Sequence, residues 1–329
     1  LTNSFEPLVV VDNLSVDINT KAGILHAVSN VSFELKPGET LCIVGESGSG
    51  KSMTALAIMG LLPRTAIRKV NKLMVDGCNL LNISDGEKSD FLGSRMAMIF
   101  QEPMTSLNPC FTIGYQMVET LVRHRNVSKL EAKKIAAKWL ERVGIPSSAG
   151  RLDQYPHQLS GGLRQRVMIA MMLICNPKLL IADEPTTALD VTVQIQILQL
   201  LTDLQRELGL GLIFITHDLG LVSRIADKVA VMYAGQIIEF GTTKQILDSP
   251  EHPYTRGLID CLPAQDKTRK GKYFGTIPGY IPSLIGDIEG CRFYNRCKHA
   301  KPICNEQSII LSYRENERHV RCMFKSHEL

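Results

Sequence analysis

Residues Thr40–Gly60 read TLCIVGESGSGKSMTALAIMG. The first five, Thr40 to Val44, are an apolar-rich run ending in glycine, as a short buried strand does. MTALAIMG has the texture of a helix. Between them, GESGSGKS (Gly45 to Ser52) matches G-x-x-x-x-G-K-[ST], with the strand before and the helix after that the motif requires. Gly45, Gly48 and Gly50 let the backbone curl around phosphate oxygens. Together with Glu46, Ser47 and Ser49 they turn successive amides and a helix N-terminus toward an anion. Lys51 is placed to reach β- and γ-phosphates, and the Ser52 hydroxyl to ligate Mg²⁺. A flexible Gly/Ser turn is the competing reading. The full pattern and its placement disfavour it.

Two other runs share the form of TLCIV: KLLIAD (Lys178–Asp183) and GLIFIT (Gly211–Thr216). Separated by helical stretches, they predict parallel strands in an α/β core. LVVVDNLSVDI and HAVSNVSFEL add strands near the N-terminus, and KPGE (Lys36–Glu39) is a turn. KLLIADEP sets Asp183 and Glu184 at the end of a buried strand. Asp183 suits a Mg²⁺ shell, and Glu184 suits a general base that polarises an attacking water. Phosphoryl transfer depends mainly on positioning and charge neutralisation, so few residues are needed. The stretch SKLEAKKIAAKWLERVG opens with Ser128 and Glu131 in capping-box spacing. Leu130, Ile135, Trp139, Leu140 and Val143 then form a mostly helical stripe, and Gly144 is its expected stop. Helix packing accounts for that stripe, the sole tryptophan included.

The bulk numbers bound the rest. A chain of 329 residues implies roughly two domains. A net charge of +4 is too mild for broad nucleic-acid binding. The longest apolar run, VMIAMMLIC (Val167–Cys175), falls short of the about 20 residues that a membrane-spanning helix needs. LTNSFEPLVV lacks a basic segment followed by a long apolar run, so no signal peptide is expected and a cytosolic, reducing setting is the default. After about residue 255, KTRKGK, IPGYIP and a crowd of cysteines suggest an irregular appended segment.

LSGGLRQR (Leu159–Arg166) brings Ser160, Gly161, Gly162 and Gln165 to the start of a predicted helix. By itself this is either another anion-binding N-terminus or an ordinary cap. Together with GESGSGKS and the Asp183–Glu184 pair, it resembles the signature sequence of ABC ATPases. Gln101 in MIFQEP then resembles the Q-loop glutamine, Asp190 in TALD the D-loop aspartate, and His217 in FITHD the switch histidine. The order and spacing hold from about Val9 to Gly241. The resemblance implies an α/β P-loop NTPase of ABC type with a RecA-like core. It places a nucleotide-binding domain at 1–250, an inserted helical subdomain at about 102–165, and a cysteine-rich extension at 251–329. It further implies two ATP molecules between two subunits facing head to tail. ATP and Mg²⁺ would meet Gly45 to Ser52, with Ser52, Gln101 and Asp183 at the metal. Ser160, Gly161, Gly162, Gln165 and Asp190 would face the nucleotide held by the partner. Glu184 would prime water, His217 would hold the γ-phosphate, and Gln101 would link the metal site to the helical block where membrane subunits dock. Where the family stacks an aromatic on adenine, this chain offers Ile18, with His26 further on.

Gln101 and Ser160 lie 59 residues apart, leaving no room for the long coiled coil of chromosome-maintenance or repair relatives. QEPMTSLNP (Gln101–Pro109), HPYTRGL (His252–Leu258), IPGYIP (Ile277–Pro282) and the cysteine tail together resemble the oligopeptide/dipeptide/nickel importer ATPases. That branch implies a second, non-identical ATPase, two transmembrane permease subunits and an extracytoplasmic solute-binding protein. It also implies a peripheral place on the cytoplasmic face of the inner membrane. The solute would be a di- or oligopeptide, with nickel, glutathione or another solute as the alternative. A regulatory or nucleic-acid-remodelling ATPase is the alternative of a different class. The tail spacing is C-x5-C-x6-C-x17-C across Cys291, Cys297, Cys304 and Cys322. Four thiolates suit Zn²⁺ or an iron–sulfur cluster, although the closely paired spacing of zinc sites is absent. The resemblance points to a [4Fe–4S] cluster that pins the tail, with zinc and free thiols left open. Cys42, Cys78, Cys110, Cys175 and Cys261 are scattered and read as buried or idle.

Overall fold

The computed structural model describes residues 6–101, 106–187, 189–262, 276–286 and 288–325. Part of QEPMTSLNP, Ala188 of TALD and all of KTRKGK lie outside the described residues. In chain order the strands are β1 Val9–Thr20, β2 Gly23–Leu35, β3 Thr40–Val44, β4 Ala66–Lys69, β5 Lys72–Val75, β6 Cys78–Asn79, β7 Met96–Ile99, β8 Leu179–Asp183, β9 Gly211–Thr216, β10 Lys228–Tyr233, β11 Gln236–Thr242, β12 Ser312–Tyr313 and β13 His319–Val320. The chain divides into two compact units, one of residues 1–10, 34–39 and 73–215, the other of 11–33, 40–72 and 216–329.

In the first unit, β7, β8 and β9 pair in parallel, with Met96 opposite Leu179 and Leu179 opposite Gly211. Every residue of the three strands is buried, as expected of a parallel sheet covered on both faces. Helices Ile113–Arg125, Lys129–Arg142, Gly161–Leu173 and Val191–Leu208 belong to this unit. Ser128 caps the second of these, accepting a 3.3 Å bond from the Glu131 amide. Its buried stripe differs from the expected one. Leu130 is 71% exposed, while Ala132, Ala136, Trp139 and Leu140 face inward. Alanines present little apolar mass, so a stripe drawn through the large apolar residues passes over Ala132 and Ala136. The helix ends at Arg142, and the Gly144 amide bonds back to the Glu141 carbonyl, as a stop should.

In the second unit, β10 lies between β3, parallel, and β11, antiparallel. β10 and β11 form a two-residue hairpin at Ala234–Gly235, where both φ angles are positive (48° and 81°), as a type I′ turn requires. β3 delivers the chain into the 45–52 loop, and helix Lys51–Met59 follows, ending on Gly60 in the left-handed conformation. The tail is less irregular than its sequence suggests. β13 pairs with β11 and β12 with β13, so the last described residues extend this strand set. Glu239 of β11 is fully buried and pairs with Arg318; its carboxylate also accepts from the amides of Glu251 and His252. A buried carboxylate satisfied this completely ties the tail to its unit.

Candidate nucleotide-binding elements and cysteine tail

The loop at Gly45–Ser52 is built by close backbone contacts. Gly45 has φ 153°, and a Cβ there would lie 2.1 Å from the Met232 carbonyl oxygen. Gly50 precedes helix Lys51–Met59 in a left-handed conformation and, being glycine, makes no side-chain cap bond. Lys51 is only 5% exposed, and its ammonium donates to the carbonyls of Gly45 (2.8 Å) and Glu46 (2.9 Å). Those are the acceptors that phosphate oxygens would replace or supplement. The Ser49 carbonyl accepts from the amide of Gly235, so the hairpin turn buttresses the loop from below.

In the other unit, Asp183 ends β8 and is buried. Glu184 follows with φ 45°, and its amide bonds to the Ile215 carbonyl at the end of β9. The positive φ turns the side chain sharply out of the strand. Oε2 of Glu184 accepts from the Gln101 amide (3.1 Å) and from the Thr187 hydroxyl (2.9 Å). The structure thus joins Gln101 to Glu184 directly. It adds Thr187 as an orienting residue that sequence reasoning missed, although a hydroxyl three residues after a candidate base is a readable hint. His217 lies just past β9, among the residues of the second unit, and is exposed. The side chains assigned to magnesium, Ser52, Gln101 and Asp183, all carry the hard oxygen donors that this ion prefers.

Ser160 caps helix Gly161–Leu173, accepting from the Leu163 amide (3.4 Å), and Ser160 and Gly161 are exposed. Asp190 is exposed and caps helix Val191–Leu208 through the Val193 amide (3.0 Å). Gln165 departs from expectation. It is fully buried and donates to the Pro185 carbonyl (2.6 Å). It therefore braces the segment just after Glu184 and has no surface to offer a partner's nucleotide. Its position one turn into the helix, facing inward, is the physical reason.

Ile18 is half-buried, and His26 is bonded through Nδ1 to Asp17 (2.6 Å). In the tail, Cys291, Cys297, Cys304 and Cys322 line one pocket, walled by Phe293 and Phe324. The Cys291 amide bonds to the Cys304 carbonyl (2.7 Å) and Arg314 to the Cys322 carbonyl (3.1 Å), which fixes the cysteine-bearing backbone. Burial, with the neighbouring thiols of Cys297, Cys322 and Cys304, pushes the Cys291 thiol up to about 11 against the opposing amide of Phe293. The donor set and the apolar wall suit a soft metal centre. Among the described residues, however, no group of three or more His, Cys, Asp or Glu side chains is arranged to hold a metal ion. The expected zinc or iron–sulfur site is thus reduced to four thiols on a shared pocket. A zinc cage would hold all four sulfurs about 2.3 Å from one point.

Sequence reasoning also missed Tyr254 and Arg296, which hold the loop residue Glu46 (3.0 Å to its amide; 2.7 and 2.9 Å to its carboxylate). Among the described residues no helix is long and apolar enough to cross a membrane.

Comparison with known proteins agrees with these elements. The ABC transporter family profile matches residues 28–187, and the oligopeptide/dipeptide transporter C-terminal region matches 238–304. The chain is 46% identical to the dipeptide transport ATP-binding protein DppD of Escherichia coli K12, covering 96% of each. It is 49% identical to the oligopeptide transport ATP-binding protein OppD of Salmonella typhimurium, covering 91% of this chain and 88% of that one. Among solved structures, the ATP-binding cassette MJ0796 dimer bound to ADP and Pi superposes with a TM-score of 0.63 at 29% identity, over 71% of this chain and 98% of that one. CbiO1 from Clostridium perfringens gives 0.62 at 30% identity, over 74% and 92%. The chain belongs to the ABC transporter ATPases, in the branch that carries the oligopeptide/dipeptide transporter C-terminal region.

Proposed function

We propose that this chain is the ATP-hydrolysing subunit of an importer for di- and oligopeptides. It would sit on the cytoplasmic face of the inner membrane against two transmembrane permease subunits, beside a second, non-identical ATPase. Solute would arrive through an extracytoplasmic binding protein. The observation that carries this reading is near-full-length similarity to proteins named for dipeptide and oligopeptide transport.

The residue roles follow from the geometry and the family. Amides of the 45–52 loop and Lys51 hold the β- and γ-phosphates, with Ser52, Gln101 and Asp183 at Mg²⁺. Glu184, aimed by Gln101 and Thr187, takes a proton from water. The water oxygen bonds to the γ-phosphorus, and the bond to the β–γ bridging oxygen breaks. His217 supports the charge that develops on the γ-phosphoryl oxygens. Ser160, Gly162 and Asp190 face the nucleotide of the partner. ATP binds the closed pair better than the open one, so hydrolysis removes the bias toward closure.

Replacing Glu184 with Gln in the transporter assembled with its permeases and binding protein tests this reading. Turnover should fall about 10²- to 10⁴-fold, and uptake of labelled dipeptide should fall with it. Undiminished turnover would remove Glu184 as the base. Wild-type uptake of Ni²⁺ without peptide uptake would move the solute to the non-peptide alternative.

The four tail thiols are proposed as ligands of a [4Fe–4S] cluster, with zinc as the alternative. Metal–thiolate bonds would contribute folding energy to the tail. The support is that all four line one pocket. Iron and acid-labile sulfide in anaerobically purified protein would support the cluster. Bound zinc, or no metal, would reject it.

A further inference from the structure

The C-terminal segment reaches the phosphate loop through side chains that the family motifs leave without a role. Arg296 immediately precedes Cys297, and its side chain is only 4% exposed. Its guanidinium meets the Glu46 carboxylate with two bonds, 2.7 Å from Nη1 to Oε2 and 2.9 Å from Nη2 to Oε1. This is the two-pronged arrangement that a fork of donors makes with a carboxylate. Its remaining donors are also occupied. Nε donates to the Pro278 carbonyl (3.0 Å) and Nη2 to the Ile277 carbonyl (3.1 Å), both in the IPGYIP stretch. Gly279, at φ 86°, lies there because a Cβ would come within 3.1 Å of the Arg296 stem. The guanidinium also lies over the Tyr233 ring, 5.6 Å from its centroid.

Glu46 is the second residue of the loop. Its carbonyl accepts from Lys51, its amide donates to the Tyr254 hydroxyl at 3.0 Å, and its carboxylate is held by Arg296. Two of those three ties come from the chain beyond residue 250. A second arginine reinforces them. Arg292 donates to the Ala234 carbonyl and to the Ser29 hydroxyl (2.9 Å), clamping the hairpin turn whose Gly235 amide supports Ser49. The carboxylate of Glu46 would otherwise stand uncompensated beside the place where a polyanion binds, and like charges at close range repel.

We propose that Arg296 is a positioning residue for ATP binding. It neutralises Glu46 and fixes the loop in the shape that accepts phosphates, so the C-terminal segment sets nucleotide affinity. The proposal rests on the reading of 45–52 as the ATP-binding loop.

The test is ATP affinity of the full chain, with KM and kcat in the assembled transporter. Arg296→Ala should weaken affinity and raise the ATP KM about tenfold to a hundredfold, the range for losing charge-assisted hydrogen bonds. Turnover at saturating ATP should stay near wild type. Arg296→Lys keeps the charge but not the fork, and should fall between. Adding Glu46→Gln to Arg296→Ala should restore part of the lost affinity, because the unpaired carboxylate is then gone. A merely structural role would lower the melting temperature of all these variants and leave the affinity of the folded protein unchanged. That result overturns the proposal. If Arg296→Ala does not fold, Arg296→Lys decides, and wild-type affinity in it overturns the proposal equally. Lys51→Ala separates the two readings. Affinity lost there but kept in the Arg296 variants refutes only the Arg296 role, and affinity kept throughout refutes the loop assignment as well.

Discussion

Two glycine-rich helix starts in this chain use the same physics to different ends. At Gly50 the helix Lys51–Met59 begins with no side-chain cap, with a buried lysine folded onto the carbonyls of its own loop. At Ser160 the helix Gly161–Leu173 begins with the serine hydroxyl on the Leu163 amide, and the cap and first glycine are exposed. Both are helix N-termini, whose dipole favours an anion. The first is enclosed by its own unit, through Met232, Gly235, Tyr254 and Arg296. The second is presented outward. An enclosed start suits a phosphate held in the same chain. An outward one suits a phosphate that another chain brings.

The comparison can be broken at single atoms. The largest effect is expected at Gly45. Its added Cβ meets a backbone carbonyl at 2.1 Å, which cannot move without shifting β10. Gly45→Ala should cost about 3 kcal/mol of stability, as overpacking does, and abolish ATP binding, as read by thermal melting and titration calorimetry. Ser160→Ala comes next. Losing the cap should cost about 1 kcal/mol, while turnover in the assembled transporter falls and ATP affinity of the single chain holds. The smallest effect is at Gly162, where a Cβ meets only the tip of the Val193 side chain at 3.0 Å. Gly162→Ala should change the melting free energy by less than about 0.5 kcal/mol. A larger loss would show that the outward start is packed as tightly as the loop.

Much of this was legible in the sequence because it depends on local patterns. TLCIV, the Leu179–Asp183 part of KLLIAD, and GLIFIT are apolar-rich runs, and each is a fully buried strand. Ser128 and Ser160 stand where caps are expected and act as caps. What was not legible depends on distance. Glu46 and Arg296 are 250 positions apart, and no spacing rule joins them. β12 and β13 have two residues each, too few to show alternation, and exist because β11 offers an edge to pair with. Gln165 was grouped with the signature residues through the family resemblance, yet the helical turn carries it inward onto Pro185. Leu130 was assigned to the core on hydrophobicity, whereas the packed face is set by the small alanines beside it.

The most direct measurement is the ATP affinity of the full chain by itself, for Lys51→Ala beside Ser160→Asp. Aspartate caps a helix about as well as serine, so the second variant keeps its fold while placing a carboxylate where a partner's phosphate would approach. The account predicts that Lys51→Ala loses ATP binding while Ser160→Asp binds ATP as the wild type does. Loss of binding in Ser160→Asp as complete as in Lys51→Ala, or wild-type affinity in Lys51→Ala, would contradict it.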